Sequence, residues 1–393
     1  MPINSQRNSS ERDEPLETLP PPMPARILEA LQSVKPPSLI YDLVQFRKSV
    51  RDVVEAFDEY HFPVKSNPAP EILKAAVEQG AGLDVCSPGE FELAVKTGVK
   101  SSLISHTGMA LDSCLSARMN SMKVQVNLDS LQEVEQWLMD LPGSPVALRL
   151  KAGNDMRYLN KFGVGDAELA LALQKIKAAK TSLAGIHAHF NHFSKTPDDL
   201  AKEYKPFLGR LTAFLKDEIF NLEYLNLGGG WPFFYEIPGK MDPCAFAKAM
   251  KEKIMAPLRD AGFNGKIIVE PGEFTVADCG YWAAEVAVLK RGSQDRKVAV
   301  LDTITPIPSA ELPYPAAGFR RKNGKLEQAP GKTAEACDLV GASNSPFDII
   351  RKSVFLPGLK IGDMIVFRRA GAYLETLMSD FNSRPAPDRH IVG

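Results

Sequence analysis

The sequence predicts a parallel (β/α)8 TIM-type barrel followed by a mostly β domain, and three observations carry that expectation. Short apolar runs alternate with amphipathic stretches from residue 61 to residue 270. Polar residues gather just beyond the apolar runs, where a barrel of this kind collects its chemistry. After Phe274 the alternation stops, and β-type runs separated by proline-rich turns replace it. At 393 residues the chain is long enough for two domains with a large core.

Residues 1–36 are polar and proline-rich (Leu19-Pro20-Pro21-Pro22-Met23-Pro24) and read as a flexible lead with at most a short helix near Ala25–Gln32. Ser38-Leu39-Ile40-Tyr41 reads as a strand. Asp42 then caps a helix whose Phe46, Val50, Val53, Val54 and Phe57 share one face. Strands follow at 61–64, 82–85, 102–105, 123–127, 146–150, 183–189, 223–227 and 266–270. Helical patterns lie near 71–79, 89–97, 110–119, 129–139, 167–179, 197–219 and 243–261. Eight strands with intervening helices are the barrel signature. A doubly wound open sheet is the alternative, because a miscount of one strand would change the answer. Beyond the barrel, assigned to 43–274, strands are expected at Val276 to Lys290, Lys297 to Thr303 and Asp363 to Arg368. The second domain takes residues 275–393 together with 37–42, since the strand at 38–41 precedes the barrel and needs a partner.

Composition narrows the function. A net charge of −1 offers nothing to nucleic acid or an anionic membrane. No apolar run reaches membrane-spanning length, and the polar start lacks a signal-peptide core. The five cysteines (86, 114, 244, 279 and 337) are scattered and odd in number, which argues for free thiols in a reducing cytoplasm and against a metal cluster.

At the predicted strand ends stand Lys65, Asp84, His106, Asn127, Arg149, His189, Gly228-Gly229-Gly230 and Glu270. Lys65 lies where an apolar strand hands over to a loop, at the edge of a core that can desolvate it. A lysine so placed can lose its proton and form a Schiff base, although a solvated surface lysine is the plain alternative. Three consecutive glycines let backbone N–H groups approach an anion; a tight turn before Trp231-Pro232 is the plain alternative. Glu270 ends an apolar strand, so its carboxylate needs a cationic or protonated partner. A Schiff-base lysine, a phosphate loop and a carboxylate for a protonated ring nitrogen together describe pyridoxal phosphate.

Ordered motifs then run through the chain: Tyr41-Asp42, Val64-Lys65-Ser66-Asn67-Pro68, Gly82-Leu83-Asp84-Val85-Cys86-Ser87-Pro88-Gly89-Glu90, Asn127-Leu128-Asp129-Ser130, Leu148-Arg149-Leu150 and Lys161-Phe162-Gly163. Gly185-Ile186-His187-Ala188-His189, the glycine run, Glu270-Pro271-Gly272, Gly371-Ala372-Tyr373 and Phe381-Asn382 continue the series. With these the chain resembles the alanine racemase-like, fold-type III pyridoxal-phosphate enzymes, in particular the diaminopimelate/ornithine/arginine decarboxylase family. The resemblance implies that Lys65 carries the cofactor covalently, His189 stacks on its ring and Glu270 keeps the ring nitrogen protonated. It further implies that Gly229, Gly230 and Tyr373 hold the phosphate, that Asp84 belongs to the cofactor set, and that Arg149 lies beside the ring. It implies a homodimer with shared active sites, acting on an amino-acid-type substrate.

Departures from the family pattern are equally specific. The family's Glu-Pro-Gly-Arg is Glu270-Pro271-Gly272-Glu273 here, so an acid stands where a phosphate-side cation is expected. Glu273 must point away, or Lys195, Arg368 or Arg369 must compensate. The loop after His189 is altered, leaving Ser194 or His192 for the phosphate. The family's proton-donating cysteine is matched by Asn344, an amide that does not titrate near neutrality. Cys337, seven residues earlier, is read as a buried structural thiol, with a relocated proton donor as the alternative. Asp348 matches the family's closing acid on the substrate side.

The resulting expectation is a pyridoxal-phosphate-dependent decarboxylation of an amino acid or a larger amino-acid-derived carboxylate, in siderophore or other secondary metabolism. A racemase or altered-protonation decarboxylase is one alternative. A catalytically silent regulatory homologue is the other.

Overall fold

The computed structural model describes residues 23–152, 161–190, 196–214, 220–231, 243–306, 314–329 and 334–393. Its strands fall where short apolar runs predict them: β1 (Ser38–Asp42), then β2 (Glu59–Pro63), β3 (Gly82–Val85), β4 (Ile104–His106), β5 (Gln125–Val126), β6 (Val146–Leu150), β7 (Leu183–Ala188), β8 (Phe220–Asn226) and β9 (Lys266–Val269). Strands β2 to β9 form one parallel eight-stranded sheet in the order β5-β4-β3-β2-β9-β8-β7-β6. A bridge between Leu128 and Leu148 joins the two ends of that order, with Arg149 N–H donating to the Leu128 carbonyl at 2.9 Å. The sheet therefore curls into a nearly closed barrel, and the open doubly wound alternative falls away.

Helices fill the connections. They are α1 (Ala25–Ser33), α2 (Leu43–Val54), α3 (Pro70–Glu78), α4 (Pro88–Lys96), α5 (Ser113–Ser121), α6 (Leu131–Asp140), α7 (Asp166–Ala178), α8 (Pro197–Phe214) and α9 (Pro243–Asp260). Their starts follow capping chemistry. Asp42, Ser87, Asp112 and Ser130 each accept a backbone N–H three residues on, and Pro88 follows Ser87 in the first turn of α4.

After β9 the structure differs from the expected long strand beginning at Val276. Residues Gly272–Val276 form a short helix, α10, in which the Thr275 hydroxyl donates to the carbonyls of Pro271 and Gly272. The strand proper, β10, spans Gly280–Arg291. With β11 (Lys297–Leu301), β12 (Ala316–Lys322), β13 (Lys325–Gln328), β14 (Ala334–Val340), β15 (Ile349–Pro357), β16 (Met364–Arg368) and β17 (Asp388–Val392) it builds a second sheet. A short helix, α11 (Leu374–Leu377), follows β16. Strand β1 joins this sheet, antiparallel to β10 and parallel to β17. Helix α1 lays Ile27 and Leu31 on Ile40, Tyr281, Phe319 and Val366 of that sheet.

Side chains layer the barrel interior. Ala147, Tyr224 and Ile268 form a small apolar layer, and Gly185 leaves room for the Tyr224 ring, which a Cβ there would meet at 2.2 Å. The next layer toward the C-terminal mouth is polar and buried: Asp84, Ser105, Asn127, His187, Asn226 and Glu270. This polar layer positions the site.

Candidate active site

Lys65 lies in a single 3-10 turn, Val64–Ser66, that ends β2. Its side chain is 41 % exposed to the cleft, so a carbonyl compound can reach it. Nζ donates to Asp84 Oδ2 at 3.2 Å and to Cys86 Sγ at 3.7 Å. The expectation that burial would favour the neutral amine is reversed here. Burial does act against the charge, but Asp84, Cys86 and Glu270 around it raise Lys65 above the ordinary lysine value. The proton must therefore be taken from Lys65 before the amine can act as a nucleophile. Asp84 in turn is held above the usual carboxylate range by burial and by the neighbouring charge of Glu270.

Glu270 is almost fully enclosed and has donors on both oxygens. Asn226 Nδ2 donates to Oε1 at 2.5 Å, Ser105 Oγ lies 3.2 Å from the same oxygen, and His187 Nε2 lies 3.3 Å from Oε2. Burial would raise this carboxyl, but His187, Lys65 and Asn226 outweigh it and hold Glu270 below the ordinary carboxylate range. His187, Asn226 and Ser105 were not singled out from the sequence. Strand alternation finds the first two: His187 lies two residues before His189, and Asn226 two before Gly228, so each points into the barrel.

The cleft beside Lys65 is lined by His189, Gly230, Trp231, Glu270, Glu273 and Tyr373, among others. His189 Nδ1 accepts the N–H of Gly229 at 3.3 Å. The glycine run is sterically required. A Cβ on Gly229 would stand 2.4 Å from the Glu270 carbonyl oxygen, and one on Gly228 (φ +63°) 2.6 Å from that of Ala188. Tyr373 adopts a left-handed φ of 61°, held by a 2.8 Å bond from its N–H to the Ser66 carbonyl. Arg149 reaches Asp129 at 3.4 Å and lies over the Phe162 ring at 4.5 Å.

Other expected residues fall elsewhere. Glu273 is among the residues lining the cleft and acts electrostatically on Tyr373. Of its proposed compensators, Arg369 donates to Asp278 at 2.8 Å, Arg368 acts electrostatically on that same Asp278, and Lys195 lies outside the described residues. Ser194 and His192 lie outside them too. Cys337 is buried in the β14 strand, paired with Val354 and Lys297. Asn344 is exposed, its N–H bound to Asn382 Oδ1 at 2.8 Å. Asp348 accepts the N–H groups of Thr305 and Ser343 at 2.7 and 2.9 Å, so both its oxygens already order a loop. His106 is buried near the mouth, and its imidazolium is pushed down to about 4 by burial.

A reachable lysine, a fully supported buried carboxylate and a glycine cradle at one barrel mouth define a Schiff-base cofactor enzyme, and their chemistry fits pyridoxal phosphate. The model for pyridoxal-dependent decarboxylases, pyridoxal binding domain, matches residues 43–277, and the chain belongs to that family. It is a pyridoxal-phosphate-dependent carboxy-lyase. Among curated relatives, diaminopimelate decarboxylase of Helicobacter pylori is 25 % identical over 381 residues, covering 91 % of this chain and 90 % of its own. Protein TabA of Pseudomonas amygdali pv. tabaci is 25 % identical over 378 residues, covering 92 % and 87 %. Among solved structures, diaminopimelate decarboxylase from H. pylori complexed with L-lysine superposes with a TM-score of 0.79 at 21 % identity over 93 % of each chain. The Paramecium bursaria Chlorella virus arginine decarboxylase bound to agmatine gives 0.76 at 20 % identity, covering 93 % of this chain and 98 % of that one. At these identities the superpositions establish the fold.

Proposed function

We propose that the protein removes the α-carboxylate of an amino acid or a larger amino-acid-derived carboxylate in a specialised biosynthetic pathway. The observation that carries this reading is the arrangement of Lys65, Asp84 and Glu270: an accessible amine, an acid bonded to it at 3.2 Å, and a second carboxylate in the same buried layer, bonded by Asn226. Pyridoxal phosphate, when bound, supplies a sink for the electron pair released as the Cα–carboxylate bond breaks. Lys65 would attach the cofactor, Glu270 would keep a proton on its ring nitrogen, and His189 and Arg149 would help to hold the ring. Gly229, Gly230 and Tyr373 would hold the phosphate.

The barrel of 43–274 is the cofactor-binding unit in this reading, and 37–42 with 275–393 the β unit. A homodimer completes the site, which accounts for the exposed loop of Asn344 and Phe347 tied to Asn382. Five free thiols favour the cytoplasm. Departures at Glu273 and Asn344 support a specialised substrate over a housekeeping one. An altered reprotonation at Cα is the second reading, favoured because Asn344 carries no titratable group and Cys337 is enclosed in the sheet.

The test is an absorption spectrum of the purified chain before and after borohydride, followed by peptide mapping and a carbon dioxide release screen over basic and carboxylated amino acids. A visible band fixed by reduction onto Lys65, lost in Lys65→Ala, with carbon dioxide from at least one substrate, is expected. Mapping to another residue, or a band with no carbon dioxide from any amino acid, would overturn the proposal. Running the reaction in deuterium oxide and locating the label at Cα separates clean decarboxylation from altered reprotonation.

A further inference from the structure

Beneath the cleft, a line of hydrogen-bonding side chains runs down the barrel interior. Asp84 Oδ1 and Glu270 Oε1 both lie near one hydroxyl, Ser105 Oγ, at 3.4 and 3.2 Å. On its other side the same hydroxyl lies 3.0 Å from His61 Nδ1. The opposite ring nitrogen, Nε2, lies 3.3 Å from Glu59 Oε2 at the N-terminal end of the barrel, where Lys266 and Gln125 also bond Glu59. His61 and Ser105 are fully enclosed. Space for the ring is built in: a Cβ on Gly82 would stand 2.5 Å from His61 Cδ2.

The donor count on this line is restrictive. Glu59 is held low, to about 2: burial opposes the charge, but His61 and Lys266 outweigh it. It is an anion and so takes the Nε2 proton of His61. Nδ1 and the single Ser105 proton then have two self-consistent arrangements. In one, His61 is an imidazolium that donates from Nδ1 to Ser105, and Ser105 donates to a carboxylate. In the other, neutral His61 accepts from Ser105, and a protonated Asp84 donates to Ser105 Oγ. Both arrangements hold the same number of protons.

We propose that His61 and Asp84 share one proton through the Ser105 hydroxyl, making His61 and Ser105 positioning residues that set the charge facing Lys65. In the exchange the Nδ1–H bond breaks as an O–H bond forms on Ser105, while the original Ser105 O–H breaks as one forms on Asp84 Oδ1. The ion pair becomes a neutral pair and no proton enters or leaves. Several other groups bear on these sites. Asp84 faces Lys65, Glu90 and Glu270, and Glu270 faces His187, Asn226 and Lys65. His61 faces Glu59 and Ser105. With Asp84 neutral, less negative charge holds the proton on Lys65; with Asp84 charged, the ammonium is favoured. This last consequence rests on Lys65 being the reactive amine, but the proton sharing does not.

The experiment therefore uses the full chain without added cofactor, so that its failure is separate from any failure to decarboxylate. Ring-15N histidine labelling reports proton occupancy at Nδ1 and Nε2, with His61 assigned by loss of its signals in His61→Gln. At fixed neutral pH, Asp84→Asn moves the Nδ1 signal toward the unprotonated position. In a Ser105→Ala background the same Asp84→Asn change moves it by less than half as much, and Ser105→Thr, which keeps the hydroxyl, restores the full response. Ser105→Cys, nearly isosteric and a poor hydrogen-bonding group, replaces Ala if that variant does not fold. An Nδ1 signal indifferent to Asp84→Asn, or one that responds equally with and without the hydroxyl, overturns the proposal.

Discussion

The backbone N–H of Tyr373 donates to the carbonyl of Ser66 at 2.8 Å, tying the segment after β16 to the residue that follows Lys65. Asn67 reinforces the tie from the barrel side. Its Nδ2 donates to the Gly371 carbonyl at 2.9 Å, while its Oδ1 accepts the N–H of Ala69 at 3.0 Å. Two hydrogen bonds thus join the loop bearing the reactive amine to the loop bearing Tyr373.

Asn67→Ala is expected to weaken cofactor binding without touching the cofactor. The substitution removes both side-chain bonds, and loss of the one that ties the two loops costs about 1 kcal/mol, or about fivefold in the dissociation constant. Titration of cofactor absorbance checks this. An unchanged dissociation constant would mean that Tyr373 is held by its own backbone bond alone.

Glu270→Gln removes the charge but keeps the shape. A neutral amide cannot hold a proton on a ring nitrogen, so kcat is expected to fall about 10²–10³-fold, the scale of losing one preorganised electrostatic group. Initial rates of carbon dioxide release measure it. A loss under tenfold would assign that charge to structure.

Glu273 lines the same cleft as Gly230 and Tyr373, where the phosphate is expected, and acts electrostatically on Tyr373. A phosphate ester becomes a dianion above a second pKa of about 6. The wild-type affinity for pyridoxal phosphate should therefore fall from pH 6 to pH 8 relative to Glu273→Gln, by about 1–2 kcal/mol. Pyridoxal, which has no phosphate, serves as the control and should bind both proteins alike. A parallel pH response in the two proteins would place a compensating cation beside Glu273.

His106 gives the fold an acid limit. Burial pushes its imidazolium down to about 4 from the ordinary 6.5. Between those values the unfolded chain binds a proton that the folded chain refuses. Stability from this group is complete above pH 6.5 and is lost as pH falls toward 4, by about 3 kcal/mol at the end of the window. Urea unfolding at pH 7 and pH 4.5 should show that slope, and His106→Gln should flatten it.

Much of the site was legible because a barrel places every strand end at one mouth. Lys65, Asp84, His189 and Glu270 could be collected from local apolar runs alone, and the structure gathers them at one mouth. Asp348 shows the opposite. Its place in a family motif suggested substrate, yet its oxygens face the amides of Thr305 and Ser343, which no local pattern foretells. Lys65 shows a third case, since its position was readable but its charge state was not.

By itself the sequence determined the periodicities: which runs are strands, where helices start, which residues stand at strand ends, and that an acid occupies position 273. Only the tertiary structure decided what those residues meet. Ser105 reaches Glu270 across 165 residues of chain, and Asn67 reaches Gly371 across 304. Helix and strand patterns arise from neighbours a few positions apart, whereas hydrogen bonds and charge states are set by whatever folding brings within about 3 Å. Closure of the barrel turned a row of separated polar residues into one connected buried layer, and that layer keeps Lys65 charged.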